Sequence, residues 1–194
     1  YQDIFGKIKG VALNLDTVIR DLSSIIHHEE DTKEGVQFEE ISFGLLLINV
    51  ENALNAQISE KKATITKNVV EDDLILTNKD ALEHILYQLI SNAIKFNLPG
   101  NAPEIRIEIH RNTDTVQISI QDNGLGIDLD RYGDKVFGVY QRFHEGFEGK
   151  GLGLFSVKSQ VYRIGGQIMV ESRPDMGSKF TIILPVEKLE YIED

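Results

Sequence analysis

The residues with the most chemistry in them fall in two glycine-rich runs. Asp122 to Asp128 reads DNGLGID, and Gly149 to Ser159 reads GKGLGLFSVKS, with an aromatic segment between them. Glycine takes up backbone conformations closed to other residues and lets main-chain N–H groups approach an anion. The second run leads directly into an apolar-periodic helix, and a helix N-terminus after a glycine turn is a ready phosphate site. Asp122, with glycines close behind it, offers a carboxylate that accepts a hydrogen bond from an exocyclic amine. Together the two runs predict a lid, over about residues 122 to 150, closed on a nucleotide.

A third group lies earlier. Asn78 is a good N-cap for a helix running to about Phe96. Leu82, Ile85, Leu86, Leu89, Ile90, Ala93 and Ile94 form its apolar side. Gln88, Asn92 and Lys95, spaced by four and three, share one helical face. A single asparagine in a helix is commonly a surface residue or a satisfied core group. Three polar residues along one stripe predict a lined pocket. Asn92 offers a carbonyl oxygen to a hard cation such as Mg²⁺, and Lys95 offers charge to a phosphate.

The elements that must position these residues follow from periodicity. Val36 to Phe38 reads as a short strand. Glu39 to Ile58 reads as a helix with Ile41, Leu45, Ile48, Ala53 and Ile58 on or near one face. Ala63 to Val69 and Leu74 to Leu76 read as strands. Glu104 to Arg111 and Thr115 to Gln121 alternate as a hairpin whose second strand delivers Asp122 at its end. A helix from about Gly151 to Ile164 follows the lid. Gln167 to Ser172 and Lys179 to Leu184 then form a last strand pair, turned at Pro174 to Gly177. Strands that come partly as hairpins predict a mixed sheet, so the fold class expected is α/β, a two-layer sandwich of mixed sheet and helices. DNGLGID is not GxGxxG, and GKGLGLFS carries no Walker GK[ST], so the parallel nucleotide-binding folds are poor fits.

Residues 3 to 27 predict a long helix of another kind. Ile4, Ile8, Val11, Leu15, Val18, Leu22 and Ile25 repeat at alternating spacings of four and three. That heptad seam, widened by Ile19 and Ile26, suits a helical bundle and favours a dimerising helix over one packed on its own domain. His27 and His28 end it among acids. A solvated helix end is the plainer reading beside a metal site or a phosphoacceptor.

A net charge of −11 argues against a general nucleic-acid surface. The chain has no cysteine, hence no disulfide and no thiolate metal site. No stretch approaches a membrane-spanning length and no secretory signal pattern opens the sequence. The expected location is cytoplasmic, with any membrane anchor of a parent protein outside these residues.

Four segments in order carry a family resemblance. LISNAIKF (Leu89 to Phe96) resembles the N box of the Bergerat-fold (GHKL) ATP-binding domain of bacterial sensor histidine kinases. DNGLGID resembles its first glycine box, VFGVYQRFH (Val136 to His144) its aromatic F box, and GKGLGLFSVK its second glycine box. GSKFTIILP (Gly177 to Pro185) stands where the family's last strand is expected. The resemblance covers about residues 36 to 185, and a catalytic domain over 36 to 190 is expected.

The resemblance implies ATP and Mg²⁺ as ligands. It implies that Asn92 holds the metal, that Asp122 receives the adenine amine beside Gly126, and that Lys95 and Arg142 meet the phosphates. Gly149, Gly151 and Gly153 would wrap the triphosphate, and Phe96, Ile127 and Leu154 would wall the adenine. Gly124, Lys150, Leu152 and Thr181 are further nucleotide-binding positions by the same match, and Gln88 joins Asn92 and Lys95 as a catalytic candidate. Gln88 is also a departure: the family's N box carries an asparagine there, and its hydrolytic members a glutamate base. An amide cannot abstract a proton from water, which favours phosphoryl transfer to a separate nucleophile.

The second departure is that no phosphoacceptor motif like HELRTP occurs. Residues 1 to 30 resemble the second helix of the family's dimerisation hairpin, so the acceptor histidine is expected outside this sequence. The implied partners are a second copy of the chain and a response-regulator receiver domain. A hydrolytic GHKL ATPase and a nucleotide-sensing dimerisation module without kinase activity are the alternatives.

Overall fold

The computed structural model describes residues 37–68, 74–147 and 149–186, the side chain of Asp134 excepted. The heptad helix expected over residues 3 to 27 lies outside them, as do the His27–His28 pair, Val36 and Val69.

The first described strand, β1, is Glu39–Ser42, where a helix was expected to begin. It pairs antiparallel with β3, Leu74–Thr77, as a small two-stranded sheet. Ser42 ends the strand and caps the helix α1, Phe43–Lys61, its hydroxyl accepting the Leu45 N–H at 3.2 Å. The later start goes with a different buried face. Phe43, Leu46, Leu47, Val50 and Leu54 are buried, whereas Leu45, Ile48 and Ala53, expected on the packed side, face outward. Both stripes are apolar at helical spacing, and only the packing surface chooses between them.

The second helix, α2, is Lys79–Lys95. Asn78 caps it, with Oδ1 accepting the Ala81 N–H at 2.9 Å. All seven residues expected on its apolar side are buried, with Ala81 in addition. α2 packs on α1, on the sheet, and on α4, Gly153–Arg163. Burying each of its large side chains contributes about 1.5–3 kcal/mol, so α2 is the rigid spine of the domain.

The main sheet has five strands: β2 (Thr64–Asn68), β4 (Glu104–Arg111), β5 (Thr115–Asp122), β6 (Gln167–Ser172) and β7 (Ser178–Pro185). Their order is β2-β4-β5-β7-β6. β2 runs parallel to β4 and the other neighbours are antiparallel, so the sheet is mixed, as expected. Ile105, Ile107, Ile109, Val116, Ile118, Ile120, Phe180, Ile182 and Leu184 supply its buried side chains to the core. The central position of β5 fixes Asp122 at a strand end, level with the end of α2. Asp128 caps a short helix, α3 (Leu129–Tyr132), that opens the lid segment. A single 3₁₀ turn follows at Gly133–Lys135.

Candidate nucleotide site

α2, the end of β5, the lid and the start of α4 enclose a cavity of about 290 Å³. Gln88, Asn92 and Lys95 line it together, so the spacing that placed them on one helical face also turns that face inward. The Gln88 side-chain amide donates to Asn92 Oδ1 at 3.2 Å. One turn earlier, His84 Nε2 and Ser156 Oγ lie 3.0 Å apart. The stripe also sits against the second glycine run. A methyl group on Gly153 would lie 2.7 Å from Gln88 Nε2, and one on Gly149 would lie 3.5 Å from Lys95 Nζ. α2 thus registers the lid along its length.

Asp122 stands at the other end of the cavity. Its Oδ1 accepts the Gly124 N–H at 2.8 Å and the Ser178 N–H at 3.2 Å. Oδ2 takes part in neither bond. Burial pushes the carboxyl up from its ordinary value of 3.8, against those two backbone donors. Ser172 completes the support: its hydroxyl accepts the Ile127 N–H at 2.7 Å, donates to the Gly177 carbonyl at 2.8 Å and lies 2.9 Å from Ser178 Oγ. A carboxylate that lines the cavity, held by one oxygen and with the other outside both bonds, is an acceptor suited to an exocyclic amine.

The end of the cavity at α4 is built differently. Among the described α-helices, α1, α2 and α3 each have a side chain capping their first N–H groups, but α4 begins at Leu152 with none. Leu152, Gly153 and Leu154 line the cavity, so the uncapped end of α4 opens onto it. Unsatisfied N–H groups and the helix dipole make that end receptive to an anion. Lys95 and Lys150 line the same cavity.

Of the other expected site residues, Phe96, Gly126, Ile127, Arg142, Gly149 and Gly151 also line the cavity. Two do not. Gly124 instead packs on α2's end, where a methyl group would lie 2.4 Å from the Phe96 carbonyl oxygen; it aims Asp122 from outside. Thr181 is buried in β7 between Ser119 and Met169 on the neighbouring strands. Phe180 lines the cavity, and strand alternation turns the next side chain to the opposite face of the sheet. Arg142 reaches the site, but its Nη2 donates to the Phe147 carbonyl at 2.7 Å.

Several lining residues escaped the sequence reading: Ala93, Val136, Gln141, Phe143, His144, Phe147, Ser178 and Phe180. The aromatic density between the glycine runs was the available signal for the lid members. His144 and Phe147 pack around Phe96, with ring centroids 5.6 and 5.1 Å from it. Burial lowers the His144 pKa, while its hydrogen bond to the Gly126 backbone and the Asp175 carboxylate pull it up.

Comparison with known proteins places this architecture. The family model described as histidine kinase-, DNA gyrase B-, and HSP90-like ATPase matches residues 77–188. The chain belongs to this family. Its α/β fold is therefore the GHKL fold that the resemblance implied, and ATP use comes with it. The chain is 31% identical over 186 residues to cyanobacterial phytochrome A of Nostoc sp., covering 92% of this chain and 23% of that protein. It is 28% identical over 177 residues to the histidine protein kinase SaeS of Staphylococcus epidermidis, covering 89% and 50%. The solved structure of the Acinetobacter baumannii histidine kinase AdeS superposes with a TM-score of 0.70 at 20% identity, over 91% of this chain and 82% of that one. The chain spans between about a quarter and a half of the curated relatives' length.

Among the described residues, no helix is long and apolar enough to cross a membrane. None of their His, Asp and Glu side chains gather in a group of three that would hold a metal.

Proposed function

We propose that this chain is the ATP-binding catalytic domain of a sensor histidine kinase. On this reading it donates the ATP γ-phosphoryl group to a histidine outside the described residues, for onward transfer to a response-regulator receiver domain. The observation that carries the reading is the amide at Gln88. Asp122 is the one carboxylate among the described residues lining the cavity, and two backbone donors hold it at the base end. Gln88, beside Asn92, has no basic form at neutral pH. The site therefore binds and orients a triphosphate with no carboxylate beside Asn92 to activate water, and the one lining imidazole, His144, packs on Phe96; this suits a phosphoryl donor better than a hydrolase.

Each residue then has a task. Asp122 Oδ2 accepts from the adenine amine while Gly126 leaves room for the base. The uncapped start of α4, with Gly149, Gly151 and Gly153, receives the phosphates together with Lys95 and Lys150. Asn92 Oδ1 fits Mg²⁺. It is a hard oxygen donor in the cavity, and the lack of a carboxylate cage among the described residues suits a metal that arrives on the phosphates. The metal's charge would offset that of the triphosphate. Gln88 fixes the Asn92 amide so that its oxygen keeps one orientation. The work is mostly positioning and charge neutralisation. Dimerisation through residues 1 to 30 and a cytoplasmic location belong to the same proposal.

The test is transfer in trans. The chain with Mg²⁺-ATP phosphorylates a supplied histidine-bearing dimerisation hairpin, while its own release of phosphate into water stays negligible. Fast hydrolysis that survives Gln88→Ala would instead favour the ATPase alternative.

A further inference from the structure

The lid loop from Arg142 to Phe147 is built to present rings. Its two ends are tied by the Arg142 Nη2 bond to the Phe147 carbonyl, and Gly146 turns it at φ +83°. The loop brings His144 and Phe147 against Phe96 at the end of α2. The three ring centroids are 5.1 to 6.3 Å apart, inclined to one another by 43 to 69°. A ring cluster serving only as core would be fully buried, yet these three are partly exposed and all line the cavity. They stand at the base end: the Phe96 carbonyl accepts the Leu125 N–H at 2.8 Å, three residues after the amine-accepting Asp122. Aromatic faces stack on nucleobases whatever their hydrogen-bonding pattern.

We infer that the lid reads the base as well as the phosphates: His144 and Phe147 join Phe96 in a three-sided aromatic clamp on the adenine. This rests on the nucleotide reading above. It divides the lid between a ring-bearing loop at the base end and the glycine run, with Lys150, at the phosphate end. The competing role is a plug, in which the rings fill an empty cavity and are displaced when nucleotide enters.

Calorimetric titration of the full chain with Mg²⁺-ATP, adenosine and inorganic tripolyphosphate separates these roles. Phe147→Ala weakens ATP and adenosine in parallel, by about tenfold, and leaves tripolyphosphate unaffected. His144→Ala loses in the same direction, and His144→Phe, which keeps a ring, recovers most of it. Lys150→Ala shows the converse pattern, losing ATP and tripolyphosphate but not adenosine. The clamp is overturned if Phe147→Ala binds ATP as tightly as the parent or more tightly, as a plug requires. It is equally overturned if tripolyphosphate affinity falls alongside, which would mean a disrupted lid. Failure of the unmodified chain to bind ATP would overturn the nucleotide reading itself, an outcome distinct from either.

Discussion

The two glycine runs look alike in sequence and are built for opposite purposes. Around Gly126 the chain is locked. A methyl group on Gly126 would lie 1.9 Å from the Arg173 carbonyl oxygen, and one on Gly177 would lie 1.9 Å from that of Asp122. These two backbones, from the β5 end and the β6–β7 turn, interpenetrate so closely that neither tolerates a Cβ. Both glycines also have φ in the left-handed region, at +63° and +79°. The second run is less closed. Gly149 at φ +145° meets only the tip of Lys95, and Gly153 meets the flexible Gln88 side chain. Gly151 alone presses on backbone, at Tyr140 and Gln141. The first run aims a rigid acceptor, and the second leaves N–H groups accessible at a helix start.

If that contrast is right, Gly126→Ala has the largest effect of any methyl group added to the two runs. It is expected to cost on the order of 3 kcal/mol of stability through clash and strain, read as a large fall in Tm, with ATP binding lost as a consequence. A tolerated Gly126→Ala would break the contrast at its strong end.

Asp122→Ala removes the acceptor but adds no Cβ to the Gly126–Gly177 interlock. ATP affinity should fall at least about 100-fold with the fold intact and only a modest fall in Tm, because release of a buried carboxylate partly offsets the loss of its bonds to the Gly124 and Ser178 N–H groups. Unchanged affinity by calorimetry would sink the assignment of the base end.

Gly149→Ala and Gly153→Ala come next. Each should lower ATP affinity by about tenfold while costing only about 1 kcal/mol of stability, because what gives way is a side chain or local backbone. A collapse in Tm like that of Gly126→Ala would show the two runs to be equally locked.

The smallest effect is that of pH. Because burial raises the Asp122 carboxyl, acidification protonates it sooner than an ordinary aspartate, and ATP affinity begins to fall from a higher pH. Stability moves the other way. The contribution of a raised carboxyl is fully present below its unfolded value of 3.8 and is lost as pH rises through the folded value. Asp122→Asn should remove that slope from chemical unfolding measured across pH.

Much of the site was readable because it is locally encoded. The 3.6-residue period of α2 fixed both its buried side and the inward stripe of Gln88, Asn92 and Lys95. Asn78 announced the helix start, and the hairpin alternation delivered Asp122. The face of α1 was not readable, since Phe43–Leu47–Leu54 and Leu45–Ile48 are both apolar stripes. Nor was β1, whose strand character depends on pairing with β3, more than thirty residues away.

What the sequence by itself determined are the features that depend on neighbours along the chain: helix periods, caps, strand alternation and the positions of the glycines. What only the tertiary structure decided are the approaches between distant segments. Gly126 is locked because Arg173 lies on it, Thr181 is excluded because Phe180 takes the inner face, and Arg142 is turned to Phe147. The physical reason is one of range. Torsional and periodic preferences act within a few residues, whereas close packing and hydrogen-bond satisfaction are settled only when surfaces meet.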